Sequence, residues 1–223
     1  MVRPVTARYP AVFLSITHDD STGEYLTHWF NCLLASSCPV TSSLSAQVST
    51  GIIVSGNIFL VGPMGAGKTS VGRQLAKLLN KNFQDSDHEI EHRTGVDIPL
   101  IFEIEGEEGF RKREQAVIDE LTSQTNIVLA TGGGAVLDET NRSNLGDRGI
   151  VIYLSASVDQ LLARTGKDKN RPLLQTSDPR ARLEELMAIR DPLYRQVASL
   201  MVDTDGCAVR DVVNKIIELI GQK

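Results

Sequence analysis

The run Gly62-Pro63-Met64-Gly65-Ala66-Gly67-Lys68-Thr69 constrains this chain more than any other stretch. It follows the apolar Ile58-Phe59-Leu60-Val61 and precedes a helical pattern. It therefore meets the phosphate-binding spacing G-x-x-x-x-G-K-[ST] in the strand–loop–helix setting that the spacing requires. The glycines let successive backbone N–H groups converge on one anion, and the helix that follows adds its positive N-terminal end. On this reading Gly65, Ala66, Gly67 and Ser70 cradle a nucleotide. Lys68 reaches the β/γ-phosphates, and the Thr69 hydroxyl ligates Mg²⁺. The alternative is a glycine turn with a chance Lys-Thr, but the flanks match as well as the letters.

From Asn57 onward short apolar strands alternate with helical stretches. The strands are expected at Ile58–Val61, Phe83–Asp85, Ile127–Ala130, Ile150–Leu154 and Leu200–Asp203. Between them, Val71, Leu75, Leu78 and Leu79 share one helical face; Val117, Ile118 and Leu121 a second; Val158, Leu161 and Leu162 a third. Val212, Val213, Ile216, Ile217 and Ile220 form a wide apolar stripe near the end. Such alternation implies an α/β three-layer sandwich: a five-stranded parallel sheet covered on both faces. Ligands then bind beyond the carboxyl ends of the strands.

Composition narrows the function. Of 223 residues, 41% are hydrophobic and 23% charged, which suits a globule with a sizeable core. A net charge of −5 argues against a non-specific nucleic-acid surface. The three cysteines, Cys32, Cys38 and Cys207, show no metal-ligand spacing and suit a reducing, cytoplasmic compartment. No apolar run is long enough for a membrane span. Residues 1–55 read differently: weak periodicity, the single Trp29 and a Ser/Thr-rich tract. They are expected to be a poorly ordered extension or sequence upstream of a misassigned start. The domain proper is residues 56–223.

Three further groups could carry chemistry. Asp85-Ser86-Asp87 ends the second strand; Asp85 can help hold Mg²⁺, and Asp87 either faces an acceptor hydroxyl or N-caps a helix starting at His88. Gly132-Gly133-Gly134 ends the third strand and is either a close ligand approach or a flexible turn. Cations gather downstream, with Arg111, then Arg164 to Arg171, then Arg190. The polar Gly- and Pro-bearing segment of about 164–180 has the composition of a mobile lid whose arginines could stabilise a transferred phosphoryl group. His88-Glu89-Ile90-Glu91-His92 fits H-E-x-x-H, but no third zinc ligand is evident.

Taken together these motifs resemble shikimate kinase of the bacterial type, among the nucleoside-monophosphate-kinase-like phosphate-loop proteins. The resemblance runs from about Gly56 to the C-terminus. It rests on residues 62–69, Asp85-Ser-Asp87, Ile101–Glu107 leading to Phe110-Arg111, Thr131–Val136, Arg171-Pro-Leu-Leu and Arg190-Asp-Pro-Leu-Tyr-Arg195.

The resemblance implies an ATP-dependent, Mg²⁺-requiring kinase that phosphorylates the 3-hydroxyl of shikimate in aromatic amino-acid biosynthesis. Lys68 and Thr69 would then serve the phosphates and Mg²⁺, with Asp85 on the metal side. Asp87 would hold the shikimate hydroxyls and act as base. Arg111, Gly132, Gly133, Gly134 and Arg190 would hold the acceptor, the two arginines on its carboxylate. Arg171 would contact the ATP phosphates from the lid, and Arg164 would stack on the adenine. The expected species is a cytoplasmic monomer with no nucleic-acid or membrane partner. The rivals are a related small-molecule kinase such as a gluconate kinase, a catalytically silent nucleotide-binding protein and a zinc peptidase. Two carboxylate clamps speak against the first, Lys68, Asp85 and Asp87 against the second, and the missing third ligand against the last.

Overall fold

The computed structural model describes residues 56–165 and 178–222. Arg171 and most of the expected lid lie outside the described residues, as do residues 1–55.

Five strands form one parallel sheet: β1 (Asn57–Val61), β2 (Asn82–Asp85), β3 (Ile127–Ala130), β4 (Gly149–Ser155) and β5 (Leu200–Asp203), in the order β2-β3-β1-β4-β5. The central strands β3, β1 and β4 are largely apolar and buried because both sheet faces are covered there, whereas the edge strand β2, Asn-Phe-Gln-Asp, is mostly polar and half-buried. Along β1, Ile58 and Leu60 enter one core layer, while Phe59 and Val61 enter the other. Helices α1 (Lys68–Leu78), α5 (Val158–Thr165) and α7 (Val209–Gly221) supply buried side chains to the first layer. Helices α2 (Ser86–Thr94), α3 (Ile98–Thr122) and α4 (Glu139–Arg148) supply the second. Helix α6 (Pro179–Val197) serves both, through Leu183 on one side and Tyr194 on the other.

The register matters for function. Leu60 pairs with Ala130 and with Ile152, and Asp85 also pairs with Ala130. The carboxyl ends of β1, β2 and β3 therefore finish on one edge, and the phosphate loop, Asp85–Asp87 and the glycine triplet leave the sheet side by side.

Two expectations need correction. Leu78 is 56% exposed rather than part of the buried stripe. The buried arc of α1 is turned toward Gly72 and Ala76, because Phe83 and Leu60 press against Gly72, and Leu78 falls off its edge in the last turn. The N-cap of α2 is Asp85, not Asp87, and the helix begins at Ser86. Asp85 has the extended backbone and the short carboxylate that a cap requires, which puts Asp87 in the first helical turn.

Candidate active site

The phosphate loop is built as its glycines allow. Gly65 and Gly67 both adopt positive φ, at 82° and 92°, and Gly67 is the N-cap of α1. The first-turn amides of α1 thus open onto the loop with no acidic side chain to compete for an anion. Lys68, only 9% exposed, folds back over the loop, and its ammonium donates to the carbonyls of Gly62 at 2.7 Å and Pro63 at 2.8 Å. Ala66 is buried, so its contribution is its backbone.

Asp85 joins loop and strand. Its Oδ2 accepts from the Thr69 hydroxyl at 2.8 Å, while Oδ1 accepts from the N–H groups of Asp87 at 3.2 Å and His88 at 3.4 Å. A hydroxyl and a carboxylate in contact beside the anion cradle make a hard-oxygen pair of the kind Mg²⁺ favours. Among the described residues no group of three or more His, Cys, Asp or Glu could hold a metal. A two-ligand oxygen site completed by water and phosphate is still the usual way Mg²⁺ is held.

Lys68, Thr69, Asp85, Asp87, Gly133 and Arg164 line one cavity of about 340 Å³, to which Gly65, Gly67 and Ser70 also contribute. Arg164 closes one end. Its guanidinium donates to the Gly65 carbonyl at 3.2 Å, and to Thr204 Oγ1 at 3.1 Å and the Thr204 carbonyl at 2.8 Å. It thereby ties α5 to the phosphate loop and to the end of β5.

At the other end lies the glycine triplet. The Gly132 N–H donates to Ser86 Oγ at 2.9 Å. A β-carbon at Gly132 would stand 2.5 Å from Asp87 Oδ1 and 2.6 Å from Glu114 Oε1. One at Gly134 would overlap the Arg111 guanidinium. Only glycine lets these charged groups close over the strand end.

Arg111 comes from α3 and sits between two carboxylates. Its Nη1 is 2.6 Å from Glu114 Oε2, and its Nη2 is 3.0 Å from Glu107 Oε1. Glu114 is 1% exposed, and its Oε1 has no hydrogen-bond partner among the described residues. Burial pushes its carboxyl pKa up, against the pull of Arg111. Arg190, 5% exposed on α6, donates from Nη1 to the Gly133 carbonyl at 3.3 Å and pairs with no carboxylate among the described residues. Burial lowers its pKa, and the neighbouring Arg111 cation adds to that. A buried guanidinium whose hydrogen-bond partners are the Gly133 carbonyl and the Tyr194 side chain, with Glu107 and Glu114 acting on it only at longer range, is costly. A planar anion laid across Arg111 and Arg190 would relieve it.

The structure places Gly65, Gly67, Lys68, Thr69, Ser70, Asp85, Asp87, Gly133 and Arg164 on one cavity; Arg111 and Arg190 do not line it but stand against Gly134 and Gly133, and Arg171 lies outside the described residues. Sequence reading gave no role to Glu114, Ser86 or Tyr194, whereas Thr204 opens the segment after Asp203 that was expected to border the adenine. Glu114 lies three residues after Arg111, and Tyr194 four after Arg190, so helical spacing carried a signal for both. The H-E-x-x-H run is helix body. His88 and His92 border a separate groove of about 490 Å³, where Glu91 accepts from the Ile98 N–H and Asp97 caps α3.

Comparison with known proteins adds to this geometry. A family model described as "Shikimate kinase" matches residues 64–221. The chain is 64% identical over 160 residues to the shikimate kinase of Thioalkalivibrio sulfidiphilus, covering 72% of this chain and 84% of that protein. It is 61% identical over 161 residues to that of Methylococcus capsulatus, covering 72% and 90%. Among solved structures it is similar to "Shikimate kinase from Acinetobacter baumannii in complex with shikimate". The TM-score is 0.73 with 58% sequence identity, covering 74% of this chain and 92% of that one.

Proposed function

The chain belongs to the shikimate kinase family, and we infer that its cavity transfers the terminal phosphoryl group of ATP to the 3-hydroxyl of shikimate, giving shikimate 3-phosphate and ADP. The observation that carries this reading is the meeting of two guanidinium groups, Arg111 and Arg190, over a glycine triplet that borders a phosphate loop. One side of the cavity suits a nucleotide phosphate and the other a small carboxylic acid.

Each residue's role follows from its place. The loop amides and Lys68 bind the β- and γ-phosphates, and Lys68 exchanges its loop carbonyls for phosphate oxygens. Thr69 and Asp85 are the residues that would hold Mg²⁺, which when bound neutralises charge shared by the β- and γ-phosphates. Arg164 borders the adenine together with Thr204. Arg111 and Arg190 grip the shikimate carboxylate, which turns its 3-hydroxyl toward Asp87. As the hydroxyl oxygen bonds to the γ-phosphorus and the bond to the ADP oxygen breaks, the proton passes to Asp87. A loose transition state asks more for alignment than for a strong base. Arg171, outside the described residues, would on this reading neutralise part of the charge on the phosphates.

The reading takes the enzyme to be a cytoplasmic monomer without nucleic-acid or membrane partners. No described helix is long and apolar enough to cross a membrane. The test is a coupled assay of ADP release with shikimate present and withheld. Release that requires shikimate and yields shikimate 3-phosphate in equal amount supports the reading. Release indifferent to shikimate refutes it.

A further inference from the structure

Tyr194 has no exposed surface and lies in the core layer beneath the acceptor end of the cavity. Its hydroxyl donates to the Gly133 carbonyl. Arg190, one helical turn earlier on α6, donates to the same oxygen at 3.3 Å. Two donors on one carbonyl fix the orientation of that peptide, at the residue type least able to fix itself.

The consequence reaches the neighbouring amides. A carbonyl and the following N–H point to opposite sides of a trans peptide, so holding the Gly133 carbonyl against α6 turns the Gly134 N–H away from it. Gly132 gives its own N–H to Ser86. Neither the Gly133 nor the Gly134 N–H has an acceptor among the described residues. Two adjacent donors at the strand end, one of them on Gly133 in the cavity lining, beside two arginines, are arranged for an anionic oxygen. There is little room for the peptide to swing, because a β-carbon on Gly133 would already stand 3.3 Å from Met64 N in the phosphate loop.

Tyr194 is itself held in place. Its ring stacks on Tyr153 with centroids 5.0 Å apart and planes 27° apart. The Tyr153 hydroxyl donates to Asp191 Oδ1 at 2.7 Å, and Asp191 Oδ2 accepts from Arg195 Nε at 2.6 Å. Burial raises the Tyr194 pKa above that of a free phenol, so the hydroxyl remains a donor through the neutral and mildly alkaline range.

We propose that Tyr194 is a positioning residue for the acceptor: through the Gly133 carbonyl, its hydroxyl sets the glycine triplet to receive the carboxylate that Arg190 grips. This rests on the shikimate reading of the cavity. Tyr194 touches neither substrate; it acts on the residue that does.

The test is Tyr194→Phe in the full chain, which removes one oxygen and keeps the ring stack. The shikimate KM should rise about tenfold, the equivalent of one lost buried hydrogen bond. The ATP KM and kcat should stay within about twofold. A purely structural role predicts otherwise, with fewer active molecules and both KM values unchanged. Val213→Ala, in the opposite core layer, is the stability control and should leave the shikimate KM at the wild-type value. If Tyr194→Phe does not fold, Tyr153→Phe decides, because it frees Asp191 behind the stacked ring. It should raise the shikimate KM about threefold with the ATP KM unmoved. An unchanged shikimate KM in the variant assayed, with a wild-type enzyme that requires shikimate, overturns this inference alone. A wild-type enzyme indifferent to shikimate overturns the functional reading as well.

Discussion

Arg111 and Glu114 form an ion pair of 2.6 Å at the floor of the acceptor site, with the glutamate almost wholly buried. They stand three residues apart on α3, so the helix sets their spacing before any ligand arrives. The pair is asymmetric: Oε2 meets the guanidinium, while Oε1 turns toward Gly132. A cation poised for a substrate carboxylate is thus kept in place by a carboxylate of the protein.

Removing Arg111 should therefore cost stability as well as affinity. Arg111→Ala leaves Glu114 buried without its counter-ion, and unfolding in urea should show a loss of roughly 3 kcal/mol. Adding Glu114→Gln to that variant should recover part of the loss. If the double variant is no more stable than the single, the buried charge is not the cause.

The same glutamate predicts a pH dependence. Burial raises its folded pKa above the ordinary value of 4.5. The stability it contributes is therefore fully present below that ordinary value and is lost as pH rises through the raised one. Glu114→Gln lacks this titration. Wild-type stability relative to the variant should thus fall as pH rises above 4.5 in paired denaturation series. A difference that grows with pH would contradict the assignment.

Gly134→Ala places a methyl group where the Arg111 guanidinium lies. The side chain must withdraw, so the shikimate KM should rise by about tenfold or more, while ATP binding at the far end of the cavity is spared. Steady-state kinetics with each substrate varied in turn separates the two.

Lys68→Ala should lower kcat by at least about a hundredfold, the scale on which charge-stabilising groups act at a transferring phosphoryl group. The fold should survive, since the ammonium sits at the loop, where it donates to the carbonyls of Gly62 and Pro63, and not in either apolar core layer. Single-turnover measurement with circular dichroism as control checks both halves.

Residues 56–223 are expected to suffice for activity. A chain truncated before Gly56 should keep the wild-type kcat/KM for shikimate within about threefold. Loss of folding on truncation would show that the preceding residues belong to the domain.

Much of this was legible in the sequence because it is encoded locally. Strands β1, β3 and β4 are short apolar runs, and the phosphate loop is eight consecutive residues whose backbone needs its glycines. Element type followed from period and length. What stayed hidden depends on contacts remote in sequence. The Gly133 carbonyl meets Arg190 and Tyr194 across separations of 57 and 61 residues, and no local pattern announces that α6 returns there. Glu114 sits among the charges of α3, and nothing local in the sequence marks it as the acid packed against the triplet. The choice between Asp85 and Asp87 as cap turned on a backbone bend at the strand end, to which both letters were equally suited. The exposure of Leu78 turned on Phe83 claiming the Gly72 face.

The most direct test of the two-guanidinium grip is calorimetric titration of shikimate and, separately, of a non-hydrolysable ATP analogue into wild type and Arg190→Ala. The account predicts shikimate affinity lower by about a hundredfold in the variant, the scale of one charge-assisted pair, with the nucleotide affinity unchanged. Wild-type shikimate affinity in Arg190→Ala would contradict it.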